Sequence, residues 1–130
     1  MSQGFPRNFS ASEFHCNCDG RYCQGPAPDA SAVRHLAWTL QVIRDAVGVP
    51  LKINSAYRCP EYNQIVGGAP NSQHKYGTAA DLKPIGISPA KLHEEIEHLV
   101  NAGDIPPGGL GLYNSFVHYD IRPRRARWNG

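Results

Sequence analysis

Ser72-Gln73-His74-Lys75-Tyr76-Gly77-Thr78-Ala79-Ala80-Asp81 sets a histidine and an aspartate seven residues apart, with a glycine and a run of small residues between them. Thr78 to Lys83 reads as a strand, on which Asp81 projects to the side opposite Ala80 and Leu82. Imidazole nitrogen and carboxylate oxygen both bind zinc at about 2.0–2.2 Å, and a catalytic zinc takes three protein ligands while keeping a fourth position open. His74 and Asp81 supply two such ligands. Val117-His118-Tyr119-Asp120, near the C-terminal end, can supply the third. In a strand His118 and Asp120 share a face, because side chains alternate with period two. Asp120 can then serve either as the base for an attacking water or as a carboxylate that orients the imidazole of His118.

Outward from the motif, the periodicities define the other elements. Leu51-Lys52-Ile53-Asn54-Ser55 alternates as a half-buried strand does and delivers Tyr57 and Arg58 at its end. Pro60 opens a short helix to about Val66, and Gly67 to Asn71 forms the loop into the motif. Upstream, Val33, Leu36, Leu40, Ile43 and Val47 make one apolar stripe of a helix capped by Asp29 or Ser31 and ended by Gly48-Val49-Pro50. Trp38 belongs to this helix and needs no ligand role. Ser10 and Glu13 have capping-box spacing, with Phe9 and Phe14 placed as a hydrophobic staple. Downstream, Ser88 caps a helix with Pro89 in its first turn. Leu92, Ile96 and Leu99 form that helix's buried face, which leaves His93 and His98 at the surface. Pro106 to Gly109 feeds two short strands, Leu110–Tyr113 and Phe116–Ile121. The order predicts one α+β domain over residues 1–130, a small antiparallel sheet with flanking helices carrying the zinc site. Residues 1–28 form an N-terminal brace and residues 123–130 a basic tail.

Bulk properties narrow the function classes. A chain of 130 residues with 41% hydrophobic content can bury a core of its own. Its mean hydropathy is −0.44, and no apolar run approaches the ~20 residues that span a bilayer. Met1 to Arg7 lacks the apolar stretch of a secretory signal, so synthesis in the cytoplasm is expected. A net charge of +2 does not argue for a nucleic-acid partner. Arg122, Arg124, Arg125 and Arg127 concentrate charge locally, which reads as a solvated tail or as a contact to an anionic surface. Cys16, Cys18 and Cys23 cluster beside His15, and Cys59 follows Arg58. Free thiols, a structural metal site and a disulfide all remain open, since the spacing is not that of ordinary zinc knuckles.

Taken together, these segments resemble the zinc D-alanyl-D-alanine carboxypeptidase family, which includes VanY-like peptidases and several phage endolysins. Ser72-x-His74-x-x-Gly77-x-Ala79-x-Asp81 matches the family signature. Ser55-Ala56-Tyr57-Arg58-Cys59-Pro60-Glu61-Tyr62-Asn63 matches its Ser-Gly-Tyr-Arg-Ser-Pro-type segment, and Phe116 to Asp120 its C-terminal histidine block. The resemblance runs from about Phe9 to Arg122 and implies a D-Ala-D-Ala metallopeptidase or hedgehog-type fold. It further implies one catalytic Zn2+ on His74, Asp81 and His118, acting on an amide bond of a peptidoglycan peptide, as a carboxypeptidase or as an endolysin-type endopeptidase, and a monomer acting in phage lysis is expected.

Arg58 is implied in substrate binding and catalysis, where a guanidinium can grip a carboxylate with two parallel hydrogen bonds. A structural ion pair is its alternative role. Ser72 either lines the same cleft or forms a turn. Relatives often carry an acid or a histidine three positions before the last ligand, whereas this chain has Ser115. The departure keeps open a non-catalytic, zinc-containing wall-binding module.

Overall fold

Asp29 caps the first helix, its side chain accepting from the Ala32 amide, and Gly48 closes it in the left-handed conformation, so α1 runs Ala30–Val47. The computed structural model describes residues 4–130, and residues 1–3 of the expected brace lie outside the described residues. Leu36, Leu40 and Ile43 on α1 are fully buried against the sheet side of the core, together with Leu92 and Ile96 of α3 (Pro89–Asn101). Ser88 caps α3 through the Lys91 amide, with Pro89 in the first turn as expected. Among the described residues, the N-terminal segment forms one 3-10 turn, Ala11–Phe14. Glu13 there accepts from the Ser10 amide at 2.7 Å, and Phe9 meets Phe14 edge-on at 6.3 Å. Trp38 is an exposed residue whose Nε1 donates to the Gly4 carbonyl.

The strands are β1 (Leu51–Ser55), β2 (Ala79–Pro84), β3 (Gly109–Leu112), β4 (Val117–Asp120) and β5 (Ala126–Asn129), and α2 spans Pro60–Ile65 between β1 and β2. They form one sheet in the order β1-β2-β4-β3-β5. The α+β expectation holds, with one correction to the sheet. It is mixed, not antiparallel, because β5 runs parallel to β3.

That correction also removes the solvated basic tail. Arg127 lays a fork on Glu97 of α3, with Nε to Oε2 and Nη2 to Oε1 both at 2.9 Å. Its Nη1 donates to the carbonyls of Gly108 and Ala126, and Arg125 adds a longer contact to Glu97. Arg122 is taken up by Asp120. Arg127 and Arg125 therefore fasten β5 to the body of the domain through carboxylate and carbonyl acceptors, while Arg124 stays exposed. Hydrogen bonding from Arg127 holds the Glu97 carboxyl below its ordinary range against the opposing effect of burial. A carboxyl with a depressed folded-state pKa stabilises the fold above its unfolded pKa, and this contribution is lost as pH falls through the folded value. Glu97→Gln is accordingly expected to speed amide hydrogen exchange across residues 126–129 at neutral pH, and the wild type should approach the same rate on acidification. Unchanged protection in the variant would mean that β5 docks without the fork.

Candidate metal centre and cleft

The sheet register creates the centre. Asp81 on β2 lies directly opposite His118 on β4 in the antiparallel ladder, so the two side chains emerge side by side. His74 arrives from a 3-10 turn, Gln73–Tyr76, whose first amides are capped by the Ser72 hydroxyl accepting from His74 N at 3.2 Å. Gly77 ends that turn with φ +72, and a Cβ there would stand 2.9 Å from Val33 Cγ2 and 3.1 Å from Ala27 Cβ. Only glycine meets both the left-handed backbone and the close approach of α1.

The two imidazoles are oriented from behind. His74 Nδ1 is 2.6 Å from the Ala56 carbonyl, which can only accept, so the proton sits on Nδ1 and Nε2 keeps a lone pair. His118 Nε2 is 2.7 Å from Asp120 Oδ2, which likewise leaves Nδ1 bare. These two bare nitrogens lie 3.2 and 3.1 Å from one oxygen, Asp81 Oδ1. Three electron-rich atoms thus converge in a buried place with no proton assigned between them, and a cation satisfies all three at once. The chemistry of this donor set, two neutral imidazoles and a carboxylate, fits a divalent metal of zinc's type. Protons compete for the same lone pairs. Burial opposes charge on His118, but hydrogen bonds to Asp120 and Asp81 outweigh it and raise its pKa. Burial would likewise raise the Asp81 carboxyl, yet His118 and His74 hold it well below the usual range.

Asp120 is wholly buried and fully engaged. Oδ2 accepts from His118 Nε2 and from Arg122 Nη2 at 2.8 Å, while Oδ1 accepts from the Gly109 amide, the Arg122 amide and Arg122 Nε. Arg58 stands on the other flank. Ser55 Oγ and Asn63 Oδ1 accept from its Nε and Nη1, and its Nη2 lies 3.7 Å from the outer oxygen of Asp81. Arg58, Ser72, His74, Asp81 and His118 all face one cleft of about 470 Å³. His93 and His98, on α3, lie outside this centre.

Residues 7–120 match the family model described as Peptidase M15. The chain belongs to the peptidase M15 family. An 81-residue stretch is 41% identical to the zinc D-Ala-D-Ala carboxypeptidase of Streptomyces albus G, covering 59% of this chain and 31% of that protein. The M15 chain thus matches less than a third of the length of this curated relative.

Two walls of the M15 cleft escaped the sequence reading. Trp128 on β5 sits with its ring 5.0 Å from that of His118, donates Nε1 to the Tyr113 hydroxyl at 2.9 Å, and carries the Arg122 guanidinium 5.4 Å from its ring centre. The cause is Gly111. It pairs with His118 on one side and with Trp128 on the other, and a Cβ at Gly111 would collide with the indole. Tyr113 and Phe116 stack at 4.4 Å to form the rim. Alternation in Ala126-Arg127-Trp128-Asn129 was the available signal, masked by the arginine count. Ser115 is exposed and is absent from the cleft wall, where Asp81 is the sole carboxylate among the described residues.

Proposed function

We propose that this M15 chain is a zinc-dependent peptidase that hydrolyses an amide bond in peptidoglycan stem peptides. The observation that carries the reading is the convergence of His74 Nε2, His118 Nδ1 and Asp81 Oδ1 at the floor of a cleft that also presents the Arg58 guanidinium. When bound, zinc supplies a Lewis acid and a water whose pKa falls from 15.7 toward about 7. His74, Asp81 and His118 would hold it. Arg58 binds a carboxylate of the stem peptide beside the scissile bond, since Ser55 and Asn63 fix the guanidinium while leaving it on the cleft wall. Ser72 sets the His74 turn and lines the substrate path. Asp120 is a positioning residue, because its oxygens are taken up by His118, Arg122 and Gly109 and none is turned to the cleft. A free terminal carboxylate within reach of Arg58 suits carboxypeptidase action, which is also what the Streptomyces albus G relative's name states for that protein.

Incubation with purified peptidoglycan and defined muropeptides, followed by mass spectrometry of the released termini, tests the reading. Arg58→Ala should lower kcat/KM by about 10–100-fold, the range expected for losing hydrogen bonds to a charged group, with zinc content unchanged. Lysine at 58 should rescue only in part, because an ammonium lacks the planar fork. Equal kinetics in both variants would assign Arg58 to a structural ion pair. A second reading, a zinc-containing wall-binding module, draws on the lack of a spare carboxylate in the cleft. Absence of any released terminus from the fully zinc-loaded chain would select it.

A further inference from the structure

Apart from the imidazole centre, the fold gathers all four cysteines of the chain at one point. Cys16, Cys18, Cys23 and Cys59 are unpaired thiols whose sulfurs all lie within 4.8 Å of one another. Cys18 and Cys23 stand 3.5 Å apart, and Cys16 and Cys59 3.7 Å. A regular tetrahedron with Zn–S bonds of about 2.3 Å has sulfur–sulfur edges of about 3.8 Å. Two of the six spacings, Cys18–Cys23 and Cys16–Cys59, already match those edges, and the other four lie within 4.8 Å.

The backbone around them is bent so that the four sulfurs meet. From Cys18 to Cys23 the chain curls through Asp19 at φ 57 and Gly20 at φ 81, with the Arg21 amide donating to the Cys18 carbonyl. Asp19 is the one non-glycine residue with positive φ among the described residues. The Cys18 thiol lies 3.9 Å from the Cys23 carbonyl, and the Cys59 amide donates to Cys16 Sγ at 3.4 Å. Backbone donors aimed at sulfur favour the thiolate, the form that binds metal. The group forms its own small core with Tyr57, apart from the main one.

We propose that Cys16, Cys18, Cys23 and Cys59 form a second, structural metal site that takes one zinc ion as a closed tetrathiolate. Four protein ligands leave no open position, so this site is structural. Its role follows from Cys59. The neighbouring Ala56 carbonyl orients His74, the Arg58 amide donates to the His74 carbonyl at 3.0 Å, and Arg58 itself faces the cleft. The tetrathiolate would tie residues 16–23 to the segment that aims both groups.

The test is elemental analysis of the full chain purified under reducing conditions. Wild type should hold two zinc ions, His74→Ala/His118→Ala one, and Cys18→Ser/Cys23→Ser one. Cobalt(II) added to the metal-free histidine variant should give strong sulfur-to-cobalt charge-transfer absorption in the near ultraviolet. The thiols should resist iodoacetamide until a chelator is added. A single zinc that vanishes in the histidine variant, with no sulfur-to-cobalt band, overturns the proposal. So does a native mass that shows two disulfides under these conditions. Should the cysteine variant fail to fold, the cobalt spectrum of the cysteine-intact chain still decides.

Discussion

His118→Ala is expected to abolish turnover and to remove the catalytic zinc, and His74→Ala to do the same. Each imidazole is a proposed direct ligand, so the loss of metal affinity should exceed the ~10–100-fold typical of removing an outer hydrogen-bond partner. In both variants Asp81 is left beside a single imidazole, too few donors for the three-ligand arrangement that catalytic zinc uses. Zinc content by elemental analysis, read beside hydrolysis of a defined muropeptide, checks the assignment. Full retention of metal in both variants would remove His74 and His118 from the centre.

Asp120 carries the other large expected effect. Asp120→Ala strands the His118 Nε2 proton in a buried place and takes the carboxylate from the partly exposed Arg122 guanidinium. Removing one partner of a buried charge pair costs about 3–5 kcal/mol, and with Arg122 open to the cleft the lower end applies, which for a domain of this size lowers Tm by on the order of 10 °C. Asp120→Asn is near-isosteric and should keep the fold. A positioning role predicts that this variant loses about 10–100-fold in zinc affinity, since the amide holds the His118 tautomer less firmly. A general-base role predicts instead an intact zinc site and a rate lowered by about 10²–10⁴-fold. Thermal melts, zinc titration and kcat on the same preparations separate the two outcomes.

The elements legible in the sequence were those written locally. The α1 stripe, its Asp29 and Gly48 ends, the Ser88-Pro89 start of α3 and the alternation of β1 each depend on residues a few positions apart. His74, Asp81 and His118 were legible because few residue types bind zinc, and their spacing matched a known signature. What escaped depends on contacts distant in sequence. Trp128 reaches His118 only because β5 pairs with β3, and β5 is held by Glu97, 30 residues before Arg127. The cysteine group closes only when Cys59 comes back to Cys16, 43 residues earlier, so its local spacing looked unlike a metal motif. The two roles open to Asp120 could not be ranked before its burial and its bonds to Arg122 and Gly109 were seen.

The parallel pairing of β5 has a consequence for self-association. Without residues 126–129 the outer side of β3 would be a bare run of backbone donors and acceptors. Its side chains are those of Gly109, Leu110, Gly111 and Leu112, which carry no charge and no proline. Flat, apolar, unpaired strands of this kind recruit further chains, and natural sheets guard against that with short edges and charged residues. β5 is such a guard. It is four residues long and carries Arg127, whose guanidinium is held by Glu97. The strand that completes the wall of the cleft therefore also covers the uncharged edge of β3.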